Sequence, residues 1–302
     1  MVKLLVLFFH MKTFKNVSKY IGIFLCCCFV SCTHPKLQTL TILHTNDTHS
    51  QVEPLEDGKR DAFCGGYARR MGFIAQEREL DPHLLLFDAG DFSQGTPYFN
   101  FYHGRVEIEA MNRMGYDAIA LGNHEFDNGV DTLAAVLQEA KFPILCANYD
   151  VEGSALENIV KPYTIIRRGN LRIGVFGIGI DPKGLIADRN FYPLQYLDPV
   201  ATAQEVANIL KDDKKCDVII CLSHQGTHPG TDGKLSDIEL AQATKNIDII
   251  FNYDNVIKNN PEVHRNSKMF PRDKLIKMAG NSIPVKLLEG IFWQIKLFDE
   301  KK

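Results

Sequence analysis

Short segments that carry oxygen and nitrogen metal ligands recur along this chain, and each follows a predicted strand. Four of them span residues 45–49, 88–91, 122–125 and 223–224, and a fifth is expected at residues 252–254. Carboxylate, amide and imidazole ligands together suit borderline divalent ions such as Mn, Fe, Co or Zn better than calcium. Two such ions about 3.5–4 Å apart can activate water and hold both oxygens of an in-line phosphoryl displacement. The residue types therefore indicate two-metal hydrolysis.

The spacing of the first ligands allows their side chains to meet. Asp47 and His49 lie two residues apart, so a backbone that stays extended after the strand would point both side chains the same way. Asp91 follows the second ligand-bearing strand, with Gly90 before it and Gly95 after it to permit a tight turn. We expect the Asp91 carboxylate to bridge two cations.

Two later strand ends complete the candidate set. Asn123 offers a neutral carbonyl oxygen and His224 offers an imidazole nitrogen. Taken singly, each residue has an ordinary structural explanation, because an Asp after a strand is usually a turn or a helix cap and a lone His is usually a surface or core group. The shared position at strand ends favours a metal site, since ligands of open α/β sheets collect beyond the carboxyl ends of the strands.

Predicted strands and helices alternate through the body of the chain. Apolar runs with strand periodicity predict strands over residues 37–44, 84–87, 118–121, 143–147, 163–168, 171–178, 218–222 and 247–251. Helical spacing predicts helices over residues 66–80, 107–114, 131–140, 200–210 and 237–243. Asp131 is the expected cap of the third helix, and Gly169-Asn170 predicts a β-hairpin. The pattern predicts a layered α/β domain with mixed sheets.

These motifs resemble those of the calcineurin-like metallophosphoesterases, and within them the N-terminal domain of the 5'-nucleotidases. The resemblance covers about residues 38–251 and rests on the sequences LHTNDTH (43–49), GGYAR (65–69), DAGD (88–91), GNHEFD (122–127) and LSH (222–224) followed by Ser236-Asp237. Ser50 stands where this subfamily usually has glycine. The fold that the resemblance implies is a four-layer α/β/β/α metallophosphoesterase sandwich with mixed sheets.

The resemblance also implies a role for each candidate residue. Asp47 and His49 would hold the first of two divalent metals, which we expect to be Mn, Zn, Fe or Co. Asp91 would bridge the two metals. Asn123 and His224 would hold the second metal. The implied catalytic residue is His124, oriented by Asp127, because a cationic imidazole beside a phosphoryl group stabilises the transition state.

One family motif is missing near the end of the chain. The family places Gly-His-x-His after the last predicted strand, and its two histidines complete the metal shells. Alignment on residues 248–250 puts Asp254 at the first histidine and Val256 at the second. Asp254 can still bind a metal, whereas a valine side chain cannot. His228 is a candidate replacement on a loop rich in Gly and Pro.

The tail over residues 252–302 differs from the rest of the chain in composition. It holds ten Lys and Arg against six Asp and Glu, whereas the whole chain has a net charge of -3. Residues 277–285, followed by a predicted helix over residues 287–295, resemble the closing motif of DNA cytosine-5 methyltransferases. We expect a chimeric end of doubtful origin; simple divergence of the tail is the alternative. No methyltransferase catalytic loop accompanies the motif, so we infer no methylation.

Residues 1–32 are interpreted as an export signal. Lysines precede an apolar run over residues 20–30 that is too short to span a bilayer, and Ser31-Cys32 then resembles a bacterial lipobox. Lipidation of Cys32 would attach the protein to the membrane of the bacterial cell envelope, in the periplasm or at the outer membrane. An ordinary cleaved signal and an anchor helix are the alternatives.

The sequence therefore predicts three parts and an activity. The parts are a signal peptide (1–32), a metallophosphoesterase domain that is incomplete at its end (33–251) and the atypical tail (252–302). We expect hydrolysis of phosphate esters, with nucleotides or 2',3'-cyclic phosphodiesters as substrates. The alternative is a catalytically impaired relic.

A slightly negative net charge gives no reason to expect nucleic acid as a partner. The base-binding second domain of nucleotidases is an expected separate partner chain.

Overall fold

Apolar runs between turn residues form the strands of two large sheets. The structure is a computed structural model that describes residues 38–55, 65–226 and 234–251 and, beyond them, the backbone of three short strands. These residues all belong to one compact unit, Gln38–Leu297. The predicted export signal with Cys32, the loop residue His228 and the ligand candidate Asp254 lie outside the described residues.

The strands follow the alternation that the sequence predicts. In chain order they are β1 (Gln38–Thr45), β2 (Leu85–Asp88), β3 (Ala118–Ala120), β4 (Ile144–Leu145), β5 (Tyr149–Asp150), β6 (Val160–Lys161), β7 (Tyr163–Arg168), β8 (Leu171–Ile178), β9 (Gln195–Tyr196), β10 (Val218–Ser223), β11 (Ile249–Phe251), β12 (Val256–Lys258), β13 (His264–Asn266) and β14 (Phe292–Leu297). Strands β7 and β8 form the predicted hairpin, with Arg168 paired to Leu171 across the turn.

Both large sheets are mixed, as the sequence predicts. The first has the order β13-β14-β1-β2-β3-β4-β6, and the second has the order β12-β11-β10-β8-β7. Strands β1, β2, β3, β4 and β6 run parallel, and β14 is antiparallel to β1. In the second sheet β8, β10 and β11 run parallel, while β7 and β12 are antiparallel to their neighbours.

Helices connect most of the parallel strands. They are α1 (Tyr67–Leu80), α2 (Pro97–Tyr102), α3 (Arg105–Met114), α4 (Val130–Leu137), α5 (Asp188–Phe191), α6 (Pro199–Asn208) and α7 (Asp237–Ala243). Side-chain caps begin several of them. Ser236, for example, forms a reciprocal capping box with Glu239 at the start of α7. A 3-10 turn, His124–Phe126, follows β3.

Three apolar cores give the domain four layers. Residues of β1, β2 and β3 meet residues of β8, β10 and β11 in a core between the two sheets, with Phe87 and Phe251 fully buried there. The opposite face of the first sheet packs against α1, α3 and α4. The opposite face of the second sheet packs against α6 and α7. This α/β/β/α order confirms the predicted fold and leaves the strand ends at the edge of the domain.

Some local predictions are wrong. The cap of α4 is Gly129, and Asp131 lies inside the first turn of that helix, where a carboxylate interacts favourably with the helix dipole. The helix predicted over residues 287–295 is wrong for residues 292–295, which belong to strand β14 and pair with β1 from Gln38↔Leu297 to Leu43↔Phe292. Residues 287–291 lie outside the described residues. Pairing with an open sheet edge overrides the helical spacing there, because the edge offers unpaired backbone groups.

The tail contributes to both sheets. Strand β12 extends the second sheet beside β11, and β13 and β14 extend the first sheet beside β1. Residues 277–285, which carry the resemblance to methyltransferases, lie outside the described residues, so the chimeric origin stays a prediction. Among the described residues, no helix is both long enough and apolar enough to cross a membrane.

Two glycines make the packing between the sheets testable. A Cβ added to Gly177 in β8 would lie 2.2 Å from the carbonyl oxygen of Leu145 in β4, whereas a Cβ on Gly72 in α1 would meet nothing within 4 Å. We expect Gly177→Ala to lower the free energy of unfolding by about 1–3 kcal/mol, because the backbones of the two sheets must separate. As the matched control, Gly72→Ala should raise it by up to about 1 kcal/mol, since alanine favours a helix interior.

Urea denaturation of both variants measures this difference. Equal stability of Gly177→Ala and the wild type would contradict the close approach of β4 and β8.

Candidate metal centre

The predicted ligand residues follow the ends of four strands. Asp47 follows β1, Asp91 follows β2, Asn123 follows β3 and His224 follows β10. Because β1, β2 and β3 are parallel neighbours, their carboxyl ends lie side by side. The topology therefore brings together segments that are far apart in the sequence.

Two groups of ligand atoms share one carboxylate. Asp47, Asp91 and His224 form the first group, and their ligand atoms all lie within 4.8 Å of one another. His49, Asp91 and His124 form the second group under the same distance limit. Asp91 belongs to both groups and thus lies where a bridging ligand would be needed.

The loops that carry these residues adopt left-handed backbone conformations. The φ angles are +49° at Asp47, +40° at His49, +50° at Ser50 and +55° at Asp91. The expectation that Asp47 and His49 point the same way along an extended backbone is therefore wrong. The two side chains still approach each other, with His49 Nε2 3.5 Å from Asp47 Oδ1. Strained backbone of this kind concentrates at functional sites and persists only where its surroundings hold it.

Close approach of two loops explains the glycines around Asp91. A Cβ on Gly90 would lie 2.5 Å from the backbone nitrogen of Gly122, and a Cβ on Gly122 would lie 2.2 Å from Asp91 Oδ1. Gly90 also has a φ of +103°, which glycine adopts without steric cost. The absence of side chains at Gly90 and Gly122 thus lets the loop after β3 contact the Asp91 carboxylate directly.

The Asp91 carboxylate is buried and is surrounded by donors and imidazoles. The backbone N–H of His124 donates to Oδ1 at 2.9 Å, and His224 Nε2 lies 3.1 Å from Oδ2. His49 Nε2 lies 3.5 Å from the same Oδ2. Burial raises the pKa of Asp91, but the positive charges and hydrogen bonds of His224 and His49 outweigh it and hold the pKa well below its usual range. Asp91 is therefore negatively charged.

His224 is oriented as a metal ligand should be. Its Nδ1–H donates to the carbonyl oxygen of Ala89 at 2.9 Å, which leaves Nε2 as the ring nitrogen that faces Asp91. Metal-binding histidines commonly donate a hydrogen bond from the N–H of their second ring nitrogen to a backbone carbonyl oxygen, which fixes the tautomer. Burial lowers the pKa of His224, but Asp91 raises it more, so the net shift is upward.

The surroundings of the His49 ring test whether metal ions fit this site. Its Nε2 is buried and has no hydrogen-bond partner among the described residues, although two carboxylates lie 3.5 Å away. Burial lowers the pKa of His49, but Asp47 and Asp91 outweigh it and raise the pKa to about 9. The two carboxylates therefore attract a positive charge to this point. A divalent cation would supply that charge and would leave Nε2 as a ligand.

His124 and Asp127 form a hydrogen-bonded pair at the rim of the site. His124 Nδ1 lies 3.0 Å from Asp127 Oδ2, and their side chains are 28 % and 35 % exposed. Asn190 in α5 donates from Nδ2 to the carbonyl oxygen of Asp127 at 2.8 Å, which ties the pair to that helix. The ring of His124 also stands edge-on to that of His49, with centroids 5.4 Å apart.

The structure gives Glu125 a role that the sequence analysis did not assign. Glu125 Oε2 accepts hydrogen bonds from the N–H groups of Asp91 and Gly122, and Oε1 accepts from the N–H and hydroxyl of Ser93. Burial, followed by the nearby Asp91 charge, raises the pKa of Glu125 to about 8. Glu125 thus joins the loops after β2 and β3. Its place within the Gly-Asn-His-Glu motif was the available signal.

The remaining predicted ligands are less defined. Asn123 is partly buried and stands between Gly122, which abuts Asp91, and the His124–Phe126 turn. Asp254 and His228 lie outside the described residues, and Val256 begins strand β12 opposite Phe251. The described part of the site therefore brings together Asp47, His49, Asp91, His124 and His224 as candidate ligands, and the role of Asn123 stays a prediction.

This donor set fits two divalent cations that share Asp91. It combines carboxylate and imidazole ligands, a buried unpaired nitrogen and an excess of negative charge that raises the pKa of the neighbouring histidines. Mixed nitrogen and oxygen ligands favour Zn, Mn, Fe or Co over the alkaline-earth ions. Together, the four-layer fold and the shared carboxylate define the class of two-metal hydrolases.

Comparison with known proteins identifies the family. The sequence profile described as calcineurin-like phosphoesterase matches residues 40–252, and the chain belongs to this family, which uses two divalent metals. A snake venom 5'-nucleotidase of Gloydius brevicauda is 40 % identical over 220 residues, which cover 70 % of this chain and 36 % of that protein. The chain thus spans about a third of the length of this relative.

Solved structures show the same domain. A 5'-nucleotidase precursor from Thermus thermophilus is similar with a TM-score of 0.63 and 27 % identity, covering 86 % of this chain and 54 % of that one. The NAD nucleotidase of Haemophilus influenzae is similar with a TM-score of 0.61 and 29 % identity, covering 81 % and 46 %. These matches confirm the domain of a metal-dependent phosphoric ester hydrolase.

Replacement of the shared carboxylate tests the metal centre. We expect the Asp91→Ala variant to lose both metals, because both groups of ligands lose the carboxylate that they share. Metal content per chain, measured by mass spectrometry after Mn2+ loading and desalting, reports the result. Asp131→Ala, which removes an exposed carboxylate from α4, should retain wild-type content. Full metal content in Asp91→Ala would show that Asp91 does not bridge.

Proposed function

We propose that this chain hydrolyses phosphate monoesters of nucleotides, and cyclic phosphodiesters of the same class, with two divalent metals. The observation that carries the proposal is the shared Asp91 carboxylate between two groups of ligands. Membership of the calcineurin-like phosphoesterases supports the reaction type, and similarity to 5'-nucleotidases supports nucleotides as the substrate class.

The ligand residues would hold the metals in a defined arrangement. By the family resemblance, Asp47 and His49 would bind one cation, Asn123 and His224 the other, and Asp91 both. The ligand atoms in the structure are grouped differently, with Asp47 beside His224 and His49 beside His124, and Asp91 belongs to both groups. When bound, the two metals would activate water and stabilise negative charge on the phosphoryl group. The N–H of His124 and the N–H groups that hold Glu125 keep the loops around Asp91 at a fixed separation. This rigidity matters because phosphoryl transfer depends on accurate positioning.

His124 would supply the proton that the leaving group needs. Its Nδ1 is engaged with Asp127, so Nε2 is the nitrogen that can face the substrate. Asp127 orients the ring through Nδ1, and a proton on Nε2 would move to the departing ester oxygen. Partial exposure of the pair keeps Nε2 within reach of a substrate that approaches from solvent. The other product would be inorganic phosphate when the substrate is a monoester.

Export and attachment to the cell envelope belong to the same proposal. Support comes from the lysines, the short apolar run and Cys32 within residues 1–32. Lipidation at Cys32 would place the phosphoesterase outside the cytoplasm, where released nucleotides are available.

A second candidate is an impaired member of the family. The alignment that favours it puts Asp254 and Val256 at positions where the family has histidine ligands, and valine has no atom that binds metal. In this case the chain would keep the fold and bind metal weakly. Loss of groups that merely support metal ligands typically reduces affinity about 10–100-fold, so loss of a direct ligand is expected to reduce it at least as much.

Removal of the rim histidine tests the proposed activity. We expect His124→Ala to abolish Mn2+-dependent release of phosphate from a nucleoside monophosphate while metal content stays near that of the wild type. The reason is that the family resemblance gives His124 the role of proton donor and assigns the metals to the other site residues, although His124 also lies within one ligand group. His83→Ala, at an exposed loop position, is the matched control and should keep full activity. Wild-type turnover in His124→Ala would overturn the assigned role.

Restoration of the missing ligand separates the two candidates. We expect Val256→His to raise Mn2+ affinity and hydrolysis if the impaired reading holds, because a second imidazole would complete the shell. Lys258→His, placed two residues further along β12, controls for the addition of any histidine to this strand. If Val256→His binds Mn2+ no more tightly than the wild type, and the wild type already hydrolyses the substrate well, the impaired candidate is wrong and the active phosphoesterase is supported.

A further inference from the structure

The two ligand groups draw their residues from both sheets. His224 follows β10 of the second sheet, whereas the other members follow strands of the first sheet: Asp47, His49, Asp91 and His124. His224 Nε2 nevertheless lies 3.1 Å from Asp91 Oδ2. This distance depends on how the two sheets are held against each other, because their strands do not pair. The apolar core between them is not directional, so polar contacts are needed to fix their relative position.

Backbone hydrogen bonds join the two sheets beside His224. The segment after β4 lies along the end of β8, where the Ala147 N–H donates to the carbonyl oxygen of Gly177 at 2.8 Å. The His224 N–H donates to the carbonyl oxygen of Ile178 at 2.9 Å. The end of β8 therefore contacts both the segment that follows the first sheet and the backbone of a metal ligand.

Asn148 holds the end of β8 through two further hydrogen bonds. Its Nδ2 donates to the carbonyl oxygen of Gly179 at 2.7 Å, and its Oδ1 accepts from the Gly179 N–H at 2.7 Å. The Asn148 side chain is fully buried. Gln225, which directly follows His224, donates from Nε2 to the same Gly179 carbonyl. The Gly179 backbone thus binds one side chain that follows the first sheet and one that follows the second.

We propose that Asn148 and Gln225 are positioning residues that fix His224 against the ligands of the first sheet through the Gly179 backbone. An asparagine side chain suits this place, because its amide offers a donor and an acceptor that match the carbonyl and the N–H of one residue. The inference rests on the metal centre of the proposed function and adds residues that bind neither metal nor substrate.

Loss of these contacts should weaken one metal more than the other. His224 belongs to the ligand group of Asp47, whereas the group of His49 and His124 is built from the first sheet alone. A displacement of the second sheet would therefore disturb the first group and leave the second intact. General destabilisation of the fold would weaken both groups instead.

Two variants test these contacts by titration of the full chain with Mn2+, followed by electron paramagnetic resonance. We expect the wild type to bind two ions. Asn148→Ala removes both hydrogen bonds to Gly179 and should bind one ion at least about tenfold more weakly, as is typical when support for a metal ligand is lost, and the other ion as the wild type does. Gln225→Met removes one donor, keeps an unbranched side chain of similar length and should weaken the same ion.

Asn112→Ala is the matched control. Asn112 in α3 donates from Nδ2 to the carbonyl oxygen of Glu139 at 2.9 Å and accepts from the Lys141 N–H at 2.7 Å. It therefore makes the same kinds of contact before β4, whereas the metal ligands follow the carboxyl ends of their strands. This variant should bind both ions as the wild type does. His224→Ala should lose the ion that Asn148→Ala weakens, and urea unfolding of the metal-free proteins measures the stability of each variant.

Each outcome decides for or against positioning. Selective weakening of one ion in Asn148→Ala, matched by His224→Ala, supports the proposal. Wild-type affinity for both ions in Asn148→Ala overturns it, and so does equal weakening of both ions or the same selective loss in Asn112→Ala. If Asn148→Ala does not fold, Gln225→Met decides, and wild-type affinity for both ions in that variant overturns the proposal.

The same titration separates this inference from the proposed function. Two bound Mn2+ ions without any hydrolysis by the wild type would overturn the proposed function and leave the inference standing. A wild type that binds fewer than two Mn2+ ions would overturn both.

Discussion

The buried negative charge of Asp91 is the constraint on which the rest of the structure depends. A buried carboxylate is costly unless positive charge and hydrogen bonds compensate it. Here the compensation comes from the N–H of His124 and from the imidazoles of His49 and His224. The same arrangement raises the pKa values of those histidines, which shows how strongly the site attracts positive charge. Two divalent cations would satisfy this demand directly.

That constraint explains the unusual backbone around the site. The loops after β1 and β2 reach Asp91 through left-handed residues, and Gly90 and Gly122 leave room for the loop after β3. Glu125 then fastens two of these loops by accepting hydrogen bonds from their backbone N–H groups. The strain is held in place by packing, because the strands that precede each loop lie in the core between the two sheets. Stability of the sheets and geometry of the site are therefore coupled.

Much of the fold could be predicted from local patterns. The hairpin of β7 and β8 and helix α7 have the bounds that the sequence predicts, because Gly169-Asn170 and Ser236 are strong local signals. Other predictions were wrong where contacts in the folded chain outweigh the local sequence signal. Gly129 caps α4 in place of Asp131, and residues 292–297 form a strand because the edge of β1 is available to pair with them. Short elements such as α2 were missed, although Thr96 caps that helix.

The sequence by itself determined which residue types lie at strand ends, their order along the chain, and the family to which they belong. It could not determine how those residues meet, because convergence depends on parallel strands that pair across long separations in the sequence. Only the tertiary structure showed that Asp47 and His49 approach through left-handed turns rather than an extended backbone. It alone revealed the role of Glu125, since burial of a polar side chain follows from packing and leaves no local pattern.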